Sequence, residues 1–411
     1  MSEAVVDDIV AVLPPLLQTL ESLSFVARNL NPPDFDRVMQ IAGEPEEALQ
    51  AVRPRLADWP EKFAHIKTAL EAAIEPALAG YAGLRAVQNG EGDLVSVFRA
   101  LRYLPRAQEA LYPLTELPPV SGFFIAPDLR EDAGLQAKLA AVPNADTGIF
   151  HERNEPGSRG GFSMYVPEYY TPESTWPLVM ALHGGSGNGR GFLWSWLRDA
   201  RSRGAILVAP TATGQTWALM GDDTDSPNLN RIIDQVRARW RVDETRMLLT
   251  GMSDGGTFSY VSGLDGTSRF THLAPVAATF HPLMAETADA DRLRDLPIFI
   301  THGRLDWMFP VQTARQTQGL LSAAGAKVIY REIDDLSHTY PREINAEIMQ
   351  WLNGERVASA STVREGLSAR HPEEREARLE GSTAPLRPRG SIGAVHPSRL
   401  APLAPQDDGD G

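Results

Sequence analysis

The chain has no cysteine in 411 residues. Disulfides, thiolate catalysis and cysteine-ligated zinc are therefore excluded, while the compartment stays open. Positive charge is also scarce: 39 Lys and Arg stand against 53 Asp and Glu, a formal net charge of −14. Phosphate contacts need clustered Lys and Arg, and no basic stripe runs along the sequence, so no nucleic-acid partner is expected. Long apolar runs are missing too. No window reaches the roughly 18 to 20 uninterrupted apolar residues of a membrane-spanning helix. The opening "MSEAVVDDIVAVLPPLLQTL" places acids where an export signal carries bases, and Pro14 and Pro15 interrupt its apolar segment. The expected location is the cytoplasm.

What is present suffices for one large core or two modest ones, with 43% hydrophobic residues. From about residue 4 to 115, apolar residues recur at helical spacing, as in Phe63, Ile66, Leu70 and Ile74, or Val97, Leu101 and Leu104. Prolines such as Pro32, Pro54, Pro60, Pro76, Pro105 and Pro113 fit loops or first helical turns, which predicts five to seven short helices. A linker is expected over 116–145, where "ELPPVSGFFIAPDLRED" breaks the pattern. Eight strand-like runs follow, beginning with "TGIFHE" and "GFSMYVP" around the turn 154–161 and ending with "KVIYREI". From the third run they alternate with amphipathic stretches such as 228–240 and 311–324. That rhythm predicts an α/β catalytic domain over 146–354, a mostly parallel sheet with helices on both faces and an antiparallel hairpin at its start. Residues 355–411, rich in Pro, Gly, Ser and mixed charge, are expected to be a disordered tail.

One pentapeptide carries chemistry. Gly251, Ser253 and Gly255 form G-x-S-x-G between the strand-like "RMLLT" and the helical "GGTFSYVSGL", the setting of a turn that projects a nucleophilic hydroxyl above a sheet. A serine needs a base, and the base needs an orienting carboxylate. In chain order serine, acid, histidine, Asp306 follows the strand "PIFI" and His338 follows "KVIYREI". His302 is a rival base, and Asp334 and Asp335 are rival acids close to His338. His281 and His151 read as surface or loop residues, and Asp254 as a solvated helix-start residue. The glycine-rich "LHGGSGNGR" after "PLVMA" offers backbone N–H donors for an oxyanion, with Gly185 and Asp254 the candidates and His183 a structural neighbour. Trp194, Trp196, Trp217 and Trp307 fit either an acyl pocket or ordinary packing.

The segments "LHGGSGNG", "VDETRMLLTGMSDGG", "ITHGRLDWMFPVQTAR" and "HTYPREINAEIMQWL" make residues 161–352 resemble the α/β-hydrolase superfamily. The likeness is to its phospholipase/carboxylesterase branch, near the polyhydroxybutyrate depolymerase and feruloyl esterase-like branch. The resemblance implies a Ser253, Asp306, His338 triad, hydrolysis of a small-molecule ester through an acyl-enzyme, and no metal or organic cofactor. A peptidase or amidase of the same fold, and a non-catalytic binding or scaffold protein, are the alternatives. The helical residues 1–115 match nothing in that pattern. Their surplus apolar surface is expected to pack on the catalytic domain beside the site entrance, or to form a homo-oligomer.

Overall fold

The computed structural model describes residues 3–357 and 360–363. Nine strands form one sheet among them: β1 Gly148–Glu152, β2 Phe162–Val166, β3 Trp176–Leu182, β4 Ile206–Pro210, β5 Val242–Met252, β6 His272–Val276, β7 Pro297–Gly303, β8 Lys327–Ile333 and β9 Ala360–Val363. Their order is β1-β2-β4-β3-β5-β6-β7-β8-β9. β1 with β2 and β2 with β4 are antiparallel, and every later pairing is parallel. The eight strand-like runs correspond to β1 through β8. β9 departs from the expected tail, since residues 360–363 extend the sheet along β8; the rest of that expectation, over 364–411, lies outside the described residues.

Both faces of the sheet are covered, which is why β3 reads as a continuous apolar run. Leu178, Met180 and Leu182 point into one core with the helices Asp225–Arg239, Asp254–Leu264 and Val311–Ala323. Val179 and Ala181 point into the other. That second core holds Ile344, Ile348 and Met349 of the helix Ile344–Leu352, and it continues without a break into the N-terminal helices through Leu104, Leu111, Tyr112 and Phe124.

The N-terminal helices are longer than expected. Glu3–Asn29 runs through Pro14 and Pro15, and Ala64–Gln88 runs through Pro76. A proline inside a helix costs about 3 kcal/mol. The first helix buries Val5, Ile9, Val12, Leu13, Leu16, Leu20, Leu23 and Val26, each worth about 1.5–3 kcal/mol, so packing outweighs the breaks. On length and a mean hydropathy of 1.6 this helix could cross a membrane; here its apolar face packs on its neighbours Phe35–Ala42, Pro45–Val52 and Ala64–Gln88.

The stretch 116–145 is not a bare linker. It contains the helices Pro118–Phe123 and Ala133–Ala140 and buries Val120, Phe123, Phe124 and Ile125. Phe124 meets Tyr112 edge-on at 5.2 Å and Trp194 at 5.7 Å. The apolar run "GFFIA" has no helical period to betray it, yet it plugs the joint between helices and sheet. Trp194 and Trp196, 2% and 0% exposed, belong to this same core. The helices thus bury part of their apolar surface against the sheet, while Val6, Val10, Val95 and Phe98 stay exposed.

Candidate functional site

β5 ends in a turn too tight for a side chain two residues to either side of the serine. A Cβ on Gly251 would lie 2.6 Å from the carbonyl group of Gly255, and one on Gly255 would lie 2.5 Å from the carbonyl oxygens of Leu182 and His183. Between them Ser253 is held at φ 56°, ψ −118°, a strained conformation for a non-glycine residue. Its N–H donates to Val276 O at 3.0 Å, fixing the turn against β6.

Two loops at the carboxyl ends of β7 and β8 bring the partners. His338 Nε2 lies 3.0 Å from Ser253 Oγ, and His338 Nδ1 lies 2.9 Å from Asp306 Oδ2. The other carboxylate oxygen, Oδ1, accepts from the N–H groups of Met308 and Phe309 at 2.9 and 2.7 Å. Asp306 is thereby locked in place as an acceptor. With the carboxylate accepting from Nδ1–H, Nε2 is free to accept the serine proton. Phe309 and Trp307 stand edge-on to the imidazole at 5.1 and 6.2 Å, and Ser253, Asp306 and His338 are all buried.

The rivals are elsewhere or otherwise engaged. His302 Nε2 donates to Phe309 O at 2.8 Å, behind the Asp306 carboxylate; burial pushes its pKa down, keeping it neutral. Asp335 bonds Arg28 and Asp334 faces Arg304, and neither reaches His338. His281 caps the helix Pro282–Thr287, and His151 sits on Ser163 and Glu109. Asp254 differs from expectation: its carboxylate is not simply solvated but accepts from Thr216 Oγ1 at 2.5 Å.

The turn after β3 lies against the serine. A Cβ on Gly184 would come within 3.7 Å of Ser253 Cβ, and one on Gly185 within 2.9 Å of Asp254 Oδ2. Gly185 and Asp254 are therefore neighbours. The Asp254 N–H is in the first turn of the helix Asp254–Leu264, where it has no acceptor within the helix. His183 supports the turn. Its Nε2 accepts from Ala212 N–H at 3.1 Å, so Nδ1 carries the proton and donates to Gly184 O at 2.7 Å. Burial lowers its pKa to about 4, which holds that neutral tautomer. Trp217 stacks on Phe258 and donates to His183 O, so it is a buttress; of the four tryptophans only Trp307 reaches the surface beside His338, at 36% exposure.

Sequence reading missed a brace from the N-terminal helices. Arg28 bonds Asp335 and Glu343, its carbonyl accepts from Thr339 Oγ1 at 2.8 Å, and Asn31 faces Ser337. These contacts flank His338 on both sides. Arg102 reaches the glycine turn through Ser186 O at 3.2 Å. No local signal marks such pairs, which stand 84 to 315 positions apart. Among the described residues, no group of three or more His, Asp or Glu side chains is placed to hold a metal ion.

Residues 221–354 match the family model described as Phospholipase/Carboxylesterase, a span that includes Ser253, Asp306 and His338. That stretch, about a third of the chain, is similar to this family. The chain is similar over 205 residues, at 28% identity, to the bifunctional acetylxylan esterase/xylanase XynS20E of Neocallimastix patriciarum, covering 48% of this chain and 29% of that protein. It is 31% identical over 116 residues to a probable feruloyl esterase C of Aspergillus terreus, covering 26% of this chain and 43% of the other. The chain thus spans less than half the length of these curated relatives. Among solved structures, a thermostable esterase aligns at 20% identity over 51% of this chain and 62% of its own, with a TM-score of 0.41.

Proposed function

We propose that this hydrolase cleaves small carboxylic esters through a covalent acyl-enzyme, with Ser253 as nucleophile, His338 as base and Asp306 as its orienting acid. The observation that carries the reading is the unbroken hydrogen-bond chain from Ser253 Oγ through His338 to Asp306, at 3.0 and 2.9 Å. His338 Nε2 takes the hydroxyl proton as Oγ attacks the ester carbonyl. The N–H groups of Gly185 and Asp254 bond the oxygen of the tetrahedral intermediate. The protonated imidazole then gives its proton to the departing alkoxide. Water, deprotonated by the same imidazole, attacks the acyl-serine and releases the acid. The relatives' names support an ester as the substrate class.

Ser253→Ala should lower turnover on 4-nitrophenyl acetate by about four to six orders of magnitude, because the three groups act as a unit, and it should abolish labelling by a fluorophosphonate probe. Residual activity within tenfold of wild type would remove Ser253 from the mechanism. Matched esters and anilides decide between esterase and amidase action, and a wild-type chain that neither reacts with the probe nor turns over would return the fold to a binding role.

A further inference from the structure

The acidic sequence conceals a basic patch that only the fold assembles. Arg99 and Arg106 lie on the helices Leu94–Leu101 and Tyr103–Leu111, Arg102 is the residue between them, and Arg159 comes from the hairpin between β1 and β2. All four are exposed. Arg102 Nη2 donates to Ser186 O at 3.2 Å, and Arg159 Nη1 donates to Gly187 O at 3.1 Å. Both carbonyls belong to the turn that carries Gly184 and Gly185, so the two guanidinium groups grip the rim of the candidate oxyanion site.

Among the described residues, no carboxylate answers these charges. The nearby Glu109 is already taken by Arg190 and His151, and among the described residues none of the four arginines is in an ion pair. Arg106 lies over the Tyr103 ring at 5.2 Å. Partial burial and the like charges of Arg99, Arg106 and Arg159 together hold the Arg102 pKa below its usual value. Repulsion of this kind is unfavourable unless an anion relieves it. Each guanidinium that spends one N–H on a carbonyl keeps its other donors for a ligand. Val95 and Phe98, 39% and 37% exposed, stand one turn before Arg99 and Arg102 on the same helical face.

We infer that this patch is an anion subsite of the hydrolase, selecting esters that carry a carboxylate or phosphate on an apolar stem a few atoms from the scissile bond. The inference rests on the esterase reading for the site itself and adds its substrate class. The turn 184–187 joins the two: one end faces Ser253, and the other is held by Arg102 and Arg159. An anion placed on the patch therefore positions the ester relative to the serine.

The test uses the full chain and matched ester pairs that differ in one charge. Mono-4-nitrophenyl glutarate is compared with 4-nitrophenyl valerate, 4-acetoxybenzoate with 4-acetoxybenzamide, and 4-acetoxyphenyl phosphate with its neutral dimethyl ester. At low salt at least one anionic member should be preferred in kcat/KM. That ratio should fall about fivefold for each arginine replaced by Gln at Arg99 and Arg106, through KM, and further when Arg102→Gln and Arg159→Gln are added. Arg99→Lys and Arg106→Lys should retain the preference, and high salt should weaken it. The carboxylate and phosphate pairs tell which anion is read. A wild-type ratio of one or below in every pair, or a preference untouched by the four Gln substitutions, overturns the subsite and leaves the esterase reading standing. If no ester is cleaved, neutral ones included, the esterase reading fails, and calorimetric titration with phosphate and with benzoate decides the patch alone. Binding in the wild type that disappears in the fourfold Gln variant supports it, and no binding at millimolar ligand refutes it.

Discussion

Replacing Arg28 with Met tests whether the N-terminal helices position the histidine or merely cover the sheet. Arg28 is 16% exposed, and its guanidinium bonds Asp335 at 3.2 Å and also Glu343. Burial works against its charge, but the two carboxylates outweigh it and raise its pKa. Removing the guanidinium breaks two charge-assisted hydrogen bonds, each worth about 1.5–3 kcal/mol. Asp335 and Glu343 are 21% and 25% exposed, so both recover water, and the net loss should be about 2–3 kcal/mol. With an unfolding entropy of about 2 cal/mol/K per residue, that lowers the melting temperature by about 2–4 °C. The larger effect should be on rate. The loop holding His338 loses its anchor on one side, and a misplacement of about 1 Å can cost about a hundredfold, so kcat on 4-nitrophenyl acetate should fall about 10- to 100-fold with KM little changed. Arg28→Lys should recover part of the rate. Arg53→Met is the control: it breaks the half-exposed pair with Glu75 within the helices and should cost under about 1 kcal/mol with no change in kcat. An Arg28→Met protein that melts early yet keeps kcat within twofold would refute the positioning argument.

Asp306→Asn should reduce kcat by about 10⁴-fold through loss of the His338 tautomer, whereas Asp335→Asn should cost less than tenfold; steady-state kinetics showing the opposite ranking would move the acid to the histidine loop. Burial pushes the Asp199 pKa up to about 6 despite the nearby Arg203. Because the folded value lies above the unfolded one, the stability it contributes is complete below about pH 4 and is lost as pH rises towards 6, about 3 kcal/mol in all. Asp199→Asn should flatten that part of the stability curve in urea titrations from pH 4 to 7, and an unchanged slope would contradict the shift. Gly255→Ala would place a Cβ 2.5 Å from two backbone oxygens, so it should destabilise by more than about 3 kcal/mol or fail to fold; a soluble, active variant would show that the turn can relax.

The legible parts of this protein are those whose signals are local. Eight apolar runs with turn residues between them marked β1 to β8, and the glycines around Ser253 marked a turn that needs no distant information. Asp306 and His338 followed from strand ends and chain order, and the fold brings both to the serine. The illegible parts depend on partners far along the chain. Pro14, Pro15 and Pro76 looked like helix breaks because the burial that overrides them is tertiary. Phe123 and Phe124 looked like linker because partners of their rings, Arg198 and Trp194 among them, come some 70 residues later. The four arginines escaped notice because Arg159 joins the others only when the hairpin folds back.

The single core shared by helices and sheet has a consequence for synthesis. Arg28 and Glu343 are 315 positions apart, which at about 5–20 residues per second separates their emergence from the ribosome by roughly 15–60 s. During that interval the helices can form among themselves, but Leu104, Leu111, Tyr112 and Phe124 have no sheet to cover them. The nascent chain therefore displays an aromatic face until β3, β5 and the helix Ile344–Leu352 arrive. Yield in a foreign host should depend on chaperone supply and growth temperature more than the stability of the finished protein suggests.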